Sequence, residues 1–214
     1  MAKIKPYLRR YTDISALISL LCKREITLLD PSSWDDKNDS GLLAIYQQKK
    51  ELKSVLALCF TQADERHHHW GSTKGTPTGV SIKFDTSVLL KAVKRHVVVR
   101  CEPVSYLTMS DMKKRKKTLD VEDLPFLKRS SYRDENEFRI IYESSTEKVK
   151  SLPIPIPLEC ITRITLSPWL PLSLRPSLTK VLHSIEGCAK LEIYRSTLVQ
   201  NETFLDCGRS ATAN

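Results

Sequence analysis

The spacing of apolar residues along the chain predicts both helices and strands. Between Ile14 and Leu21 the apolar residues recur at the i, i+3, i+4 and i+7 positions of an amphipathic helix, which the preceding Thr-Asp pair can cap. Residues 80–85 alternate between apolar and polar, as in a half-buried strand. The almost unbroken apolar run at 54–61 predicts a strand that is buried on both faces.

Shorter patterns complete the prediction. We expect further strands at 6–11, 25–29, 96–107, 160–166 and 191–195, helices at 42–53, 87–95, 108–128 and 178–185, and a loop of turn formers at 30–41. The alternating prolines of SLPIPIPLE predict a linker or an edge strand. About seven or eight strands mixed irregularly with four or five helices predict an α+β fold with mixed, mostly antiparallel sheets and flanking helices.

The stretch Tyr132–Glu143, YRDENEFRIIYE, has the most informative polar pattern. In an extended strand Glu135, Glu137 and Arg139 would share one face, and the apolar residues between them would share the other. The apolar face is typical of core. The charged face is either a solvated strand edge with salt bridges or the place where a site can form.

Composition adds a preference for anionic partners. The chain has 214 residues, a net charge of +9 and a pI of about 9.3, which favours nucleic acid, a nucleotide cofactor or an acidic protein as partner. Its densest basic run is either a solvated surface or an arm that contacts nucleic-acid phosphates, and comprises Lys113, Lys114, Arg115, Lys116 and Lys117.

The length of the chain and its N-terminal sequence limit the possible domain organisation and localisation. We expect one domain over residues 1–205 and a flexible C-terminal tail over 206–214. No apolar run approaches the roughly 18 residues that a membrane span needs, and the N-terminus has no signal-peptide core. Six scattered cysteines without a CxxC pair predict reduced thiols and a cytoplasmic protein with no membrane partner. The oligomeric state stays open.

Familiar catalytic motifs are missing from the sequence. It has no GxxxxGK[ST], GxGxxG, HExxH or GxSxG pattern. The run His67–His69 either supplies a metal ligand or is a polar loop, and we expect no bound metal. Trp70 either packs in the core or stacks on a base or nicotinamide ring. Around Trp34, Asp36 and Asp39 form either a network of turn hydrogen bonds or a substrate loop.

Taken in order, several segments resemble a known family. The segments are LRRYTDISAL, DPSSWDDKND, LALCFTQ followed by HHW, GVSIKFD, LPFLKRSSYRDENEFRIIY, ITLSPWLP and YRSTL. This ordered set is similar to the bacterial domain-of-unknown-function 2971 family over about Leu8 to Leu198. Two departures stand out: Ser72 and Thr73 occupy positions where many members have a His-Tyr pair, and Lys37 stands where proline is common.

The layout of that family looks like an ADP-ribosyltransferase fold with a split sheet. Such folds carry an arginine or histidine on an early strand, a serine or threonine strand in the middle and a catalytic glutamate, often in E-x-E, on a late strand. The resemblance implies NAD as cofactor and Glu137 and Glu135 as catalytic carboxylates. Contacts with the cofactor are then expected from Arg10, Tyr11, Thr61, His69 and Trp70, and support of the site from Arg139, Trp34, Asp36 and Asp39.

Three functions are therefore compatible with the sequence. The resemblance favours an NAD-dependent ADP-ribosyltransferase or NAD hydrolase, acting as a bacterial toxin or anti-phage effector. The basic surface alone would also fit a non-catalytic nucleic-acid- or partner-binding module. A metal-dependent nuclease that uses Asp36, Asp39, Glu135 and the histidines is the third.

Overall fold

Strands from both halves of the chain form one large, mostly antiparallel sheet. The computed structural model describes residues 4–73, 76–115 and 118–211, and nine of their strands belong to this sheet. Its strands are β1 (Tyr7–Asp13), β2 (Glu25–Leu29), β3 (Ser54–Thr61), β4 (Gly79–Asp85), β5 (Arg100–Pro103), β8 (Glu137–Ser144), β9 (Ser151–Pro155), β10 (Ile161–Leu166) and β11 (Ile193–Arg195). A parallel pair, β6 (Ser105–Leu107) and β7 (Leu127–Arg129), lies apart from it.

Helices flank the sheet, and the predicted α+β class is confirmed. They are α1 (Ile14–Lys23), α2 (Lys37–Lys49), α3 (Thr86–His96), α4 (Met109–Arg115), α5 (Arg175–Ser184) and α6 (Glu202–Arg209). Helix α6 begins before the segment predicted to be a tail. Within the described ranges no helix has the length and apolar character to cross a membrane.

The sheet is divided between β1 and β3. Strand β1 is paired along its whole length with β4, and β3 along its whole length with β8. Between β1 and β3, by contrast, the register has the single pair Arg9↔Thr61. The proline-rich β9 pairs with β2 at the end of the strand order, so the edge-strand interpretation is confirmed. The outcome is a split sheet whose two halves meet at one point.

Two hydrophobic clusters cover β3 and β8 from both sides. Leu58 and Phe138 belong to the larger cluster, which also holds the apolar faces of α1 and α3. Ala57 and Ile141 belong to the smaller cluster, together with Leu43 of α2 and with residues of the 3-10 turn Val121–Phe126. The prediction of a doubly buried strand at 54–61 is confirmed. Because β8 is buried in the same way, its charged face lies inside the protein and is not a solvated edge.

Three predicted segments differ from the structure. The single strand expected at 96–107 is two short strands, β5 and β6, which belong to different sheets. Helix α2 begins at Lys37 and not at Leu42, because the Asp36 carboxylate caps it by accepting from the backbone N–H of Asn38. The expected long helix over 108–128 is only α4, followed by a 3-10 turn at Val121–Phe126 that contains a proline, and then by β7. Proline lacks the N–H that a continuing α-helix requires.

Glu135 does not lie on a strand, which corrects the alternation prediction. It ends a 3-10 turn, Ser130–Glu135, and Asn136 follows in the left-handed region with φ 43° and ψ 54°. Strand β8 begins only at Glu137. The left-handed residue therefore separates the two acids, and this turn, not strand alternation, sets the positions from which both side chains reach Lys128.

We expect Asn136→Ala to lower the free energy of unfolding by about 1 kcal/mol, because a Cβ without a polar side chain disfavours the left-handed conformation. Asn136→Gly should be close to neutral. Chemical denaturation of both variants checks this prediction, and equal stability of the two would contradict it.

Candidate active site

A cleft opens where β1 and β3 separate. Its volume is about 600 Å³, within the range of small-ligand sites. It brings together many of the sequence-predicted residues: Arg10, Tyr11, Trp34, Asp36, Asp39, Thr61, His69, Glu135 and Glu137. Distant parts of the chain therefore converge at this cleft.

The floor of the cleft is a network of three acids and two cations. The Lys128 ammonium lies 2.7 Å from Glu135 Oε2, 3.0 Å from Glu137 Oε2 and 3.5 Å from Asp39 Oδ2. The Arg139 guanidinium donates to Glu137 Oε1 at 2.6 Å and to Asp39 Oδ2 at 2.6 Å. The formal charge of these five groups is −1, so the floor keeps one uncompensated negative charge.

Arg139 is fully buried, with 0% of its surface exposed. Besides the two carboxylates it donates to the backbone carbonyl of Pro125 at 2.9 Å, and its guanidinium lies 5.3 Å from the centre of the Trp34 ring. A buried cation is tolerated only with this degree of compensation. Arg139 thus contacts the acids but is not among the residues that line the cleft.

Glu137 is held in its ionised form. Burial by itself would raise the pKa of its carboxyl, but the neighbouring Arg139 guanidinium and Lys128 ammonium, with a hydrogen bond from the Cys59 thiol, lower that pKa to about 2. Its backbone N–H donates to the Tyr106 hydroxyl at 2.8 Å. The carboxylate is therefore both charged and fixed in position at neutral pH.

Glu135 is the more accessible of the two acids. Its side chain is 32% exposed, whereas that of Glu137 is 6% exposed. Burial raises the pKa of Glu135 above its ordinary value, although Lys128 opposes the shift. The Thr61 hydroxyl donates to the Glu135 carbonyl and accepts from the Ala63 N–H at 2.9 Å. Thr61 therefore positions the turn that carries Glu135.

Strand β1 supplies two arginines to the cleft. Arg10 donates to the Cys59 carbonyl on β3 at 3.2 Å, across the gap that the sheet ladder leaves open, and burial lowers its pKa. Arg9 donates to the Ala63 carbonyl at 2.9 Å and pairs with Asp64 at 3.2 Å. The cations that the structure pairs with Glu137 are Lys128 and Arg139, and not Arg10.

Trp70 is a core residue and not a stacking surface, which corrects its placement among the cofactor contacts. Its side chain is fully buried, its indole N–H donates to Glu65 at 3.0 Å, and its ring meets that of Tyr11 edge-on at 5.1 Å. The Tyr11 and His69 rings, 5.1 Å apart, do line the cleft. Trp70 packs against the Tyr11 ring from the core side.

The three histidines do not converge. His67 packs edge-on against Trp169 at 5.6 Å, whereas His68 and His69 lie at the cleft. Among residues 4–73, 76–115 and 118–211 there is no group of three or more His, Cys, Asp or Glu side chains placed to hold a metal ion. The nuclease ligand set of Asp36, Asp39, Glu135 and the histidines is therefore not assembled.

The described part of the basic run does not line the cleft. Lys113, Lys114 and Arg115 end helix α4 and are exposed, and they are not among the cleft residues. Lys116 and Lys117 lie outside the described residues.

Sequence reasoning missed Lys128, Tyr106 and Tyr132. The Lys128 ammonium joins all three acids and lies 4.8 Å from the centre of the Tyr132 ring. Lys128 is the middle residue of a three-residue strand, too short for an alternation pattern to mark it as buried. The one available signal was its position seven residues before Glu135, in the same charged stretch.

Comparison with known proteins yields structural likeness only. No family model matches the chain and no curated protein sequence matches it, so membership of the domain-of-unknown-function 2971 family stays a prediction. Similar solved structures are those of DarT from Thermus sp. 2.9, each 10% identical. They are the complex with NAD+ (TM-score 0.46, 92% of this chain and 98% of that one), with carba-NAD+ (0.45, 89% and 95%) and with ADP-ribosylated ssDNA (0.46, 89% and 94%). At TM-scores below 0.5, function has to be inferred from the residues of this chain.

We expect Arg139→Leu to lower the free energy of unfolding by about 3–5 kcal/mol, because it leaves buried Glu137 and Asp39 without their cation. The matched control is Arg163→Leu, which removes an exposed partner of Glu192 and should cost less than about 1 kcal/mol. Denaturant unfolding measures both variants. Equal losses would show that the buried network contributes no more than a surface pair.

His69 gives the protein a pH-dependent stability. Burial, with a smaller effect of His68, lowers the pKa of its imidazole from 6.5 to about 4. The unfolded chain therefore binds a proton near pH 6.5 while the folded chain does not, so stability is present above that pH and declines as the pH falls towards 4. The full change is about 3 kcal/mol.

The difference in unfolding free energy between the wild type and His69→Gln, measured from pH 7.5 to 4, isolates this effect. We expect the wild type to lose stability relative to the variant as the pH falls. Parallel pH curves would contradict the prediction.

Proposed function

We propose that this protein is an NAD-dependent ADP-ribosyltransferase or NAD hydrolase whose nucleotide binds in the cleft between β1 and β3. The observation that carries the proposal is the pair of carboxylates at the cleft floor. Glu137 is buried and ionised, Glu135 is more exposed with a raised pKa, and both are held by Lys128. Two neighbouring acids with pKa values moved in opposite directions suit two different chemical roles.

Glu137 would stabilise the charge that develops in the reaction. When the bond between nicotinamide and ribose breaks, nicotinamide leaves with the bonding electrons and the ribose becomes positively charged. A fixed carboxylate in a site of low dielectric constant is a strong stabiliser of such a charge. Because Arg139 and Lys128 already hold this carboxylate, no reorganisation is required at the moment of reaction.

Glu135 would act on the incoming nucleophile. A general base works best when its pKa lies close to the working pH, and burial moves the pKa of Glu135 in that direction. It would accept the proton of a water molecule in hydrolysis, or of an acceptor group in transfer. The new bond forms to the ribose carbon that nicotinamide has left.

Arg10 and the aromatic residues would bind the nucleotide itself. The bond of Arg10 to the Cys59 carbonyl uses one of the five N–H donors of a guanidinium, and others can bind pyrophosphate oxygens. Trp34 and Tyr11 line the cleft and supply ring surfaces for a base or for nicotinamide. The NAD+ complexes named above belong to DarT, and the proposal for this chain rests on its own cleft.

A metal-dependent nuclease is less compatible with the floor of the cleft. Asp39 and Glu137 are already engaged by Arg139 and Lys128, and a divalent cation would have to compete with these residues for the same oxygens. A toxic or anti-phage role would follow from NAD consumption or from modification of an acceptor in the cell.

Release of nicotinamide from NAD+ by the purified chain tests the proposal. We expect Glu137→Gln to lower the rate by about 100-fold or more, because the developing charge loses its stabilising carboxylate. The matched control is Glu147→Gln, an exposed acid in the β8–β9 connection, which should leave the rate unchanged. Because Glu137→Gln also disturbs the buried network, circular dichroism of each variant must first show an intact fold.

Glu135→Gln is a second variant. It replaces the more exposed of the two acids, so its effect on nicotinamide release does not depend on the stability of the core. The absence of nicotinamide release from the wild type, together with no NAD+ binding by calorimetry, would overturn the proposal. In cells, the toxin hypothesis predicts growth arrest with the wild type but not with Glu137→Gln.

A further inference from the structure

Three cations lie side by side on the outer face of the sheet. The strand register places Arg9 of β1 opposite Lys83 of β4, and Lys83 opposite Arg163 of β10. On β4 the neighbours of Lys83 in sequence, Ile82 and Phe84, point into the core. These three cations therefore share the face directed away from the core, and with Tyr7 and Tyr194 we name them the cationic strip.

Tyrosine rings are interleaved with the cations. The Tyr7 ring centre lies 4.4 Å from Lys83 Nζ and 4.8 Å from the Arg9 guanidinium carbon. At the other end the Arg163 guanidinium carbon lies 4.7 Å from the centre of the Tyr194 ring. Tyr194 is 46% exposed, so part of its ring surface is open to a ligand.

This arrangement is unfavourable for the protein alone. Like charges at directly opposed strand positions are destabilising, and burial together with the neighbouring Arg9 and Arg163 lowers the pKa of Lys83. Two carboxylates compensate only the outer members: Asp64 lies 3.2 Å from Arg9 and Glu192 lies 3.2 Å from Arg163. The strip with these acids keeps a net charge of +1, centred on Lys83.

The strip is continuous with the cleft. Arg9 belongs both to the strip and to the cleft wall, and Thr61, which holds the turn of Glu135, is its partner on β3. From β1 to β11 the strip crosses three strand spacings, about 15 Å. An extended anionic chain on this face would therefore end next to the two carboxylates.

We propose that the cationic strip binds the backbone of a single-stranded nucleic acid and directs it towards the cleft. A sheet face that combines a row of cations with exposed aromatic rings suits such a ligand, because phosphates contact the cations while bases stack on the rings. An acidic protein would use the charges but not the Tyr194 ring surface. If the bound strand also accepts the transferred group, that role rests on the proposed function. The binding of the strand to the cationic strip does not rest on it.

Fluorescence anisotropy with labelled oligothymidylate and oligouridylate of about twelve nucleotides tests the strip. The double variant Lys83→Gln/Arg163→Gln should bind about tenfold more weakly, and the slope of log K against log salt should become shallower by about 1.4, since each lost phosphate contact contributes about 0.7 for a single strand. The control Lys148→Gln/Lys150→Gln removes the same charge from exposed positions around the β8–β9 connection and should bind like the wild type.

Variants of Tyr194 distinguish the contribution of base stacking to binding from that of charge. Tyr194→Ala should weaken binding about fivefold or more, and Tyr194→Phe should retain it, because the ring is kept. If polyglutamate of similar length displaces the oligonucleotide at equal charge concentration, the strip is a surface for an acidic protein and the proposal fails. It also fails if the strip and control variants bind equally, or if only neutralisation of Lys113, Lys114 and Arg115 weakens binding.

The experiments distinguish failure of the nucleic-acid-binding proposal from failure of the proposed function. Nicotinamide release by the Lys83→Gln/Arg163→Gln variant in the absence of nucleic acid should equal that of the wild type. Nicotinamide release without oligonucleotide binding would overturn the strip and leave the catalytic proposal standing. Salt-dependent binding that the strip variant abolishes, in a protein that never turns over NAD+, would support the strip and overturn the catalytic proposal.

Discussion

The burial of Arg139 is the constraint on which the rest of the site depends. A guanidinium without solvent contact requires charge compensation and hydrogen-bond acceptors within the fold. The acceptors come from three separate elements: Glu137 on β8, Asp39 in the first turn of α2, and the carbonyl of Pro125 in the turn before β7. These elements cannot move independently without leaving a buried charge unpaired. The cation thus joins the helix, the turn and the central strand at the floor of the cleft.

Lys128 connects this buried network to the more exposed acid of the cleft. It binds the same two acids as Arg139 and adds Glu135, which faces the cleft. Three acids and two cations leave one net negative charge, and the more exposed acid is the one bound by Lys128 alone. Arg139 and Lys128 together lower the pKa of Glu137, whereas burial raises the pKa of Glu135 against the opposing effect of Lys128. The network therefore differentiates two carboxylates that are close in sequence.

Local patterns predicted the elements well and the site only in part. The spacing of apolar residues predicts α1, β3 and β4 directly, because each of these elements packs one or both of its faces against the core. Glu135 and Glu137 were predicted as candidates, and both line the cleft, but the predicted geometry was wrong: a left-handed Asn136, not strand alternation, sets their relation. Lys128 had no periodic signal. Trp70 was ambiguous because an indole suits a core as well as a ring-stacking site, and only its zero exposure decides.

The separation of β1 from β3 explains how Arg10, on the first strand, lines the same cleft as Glu137 on β8. A fully paired ladder would use the Cys59 carbonyl and close the sheet over the cleft. With Arg9↔Thr61 as the single pair, the Arg10 guanidinium bridges to that carbonyl instead, and its side chain lines the cleft. The same divergence leaves Arg9 between the cleft and the outer face. One missing stretch of strand pairing thus creates both the cleft and its continuity with the cationic strip.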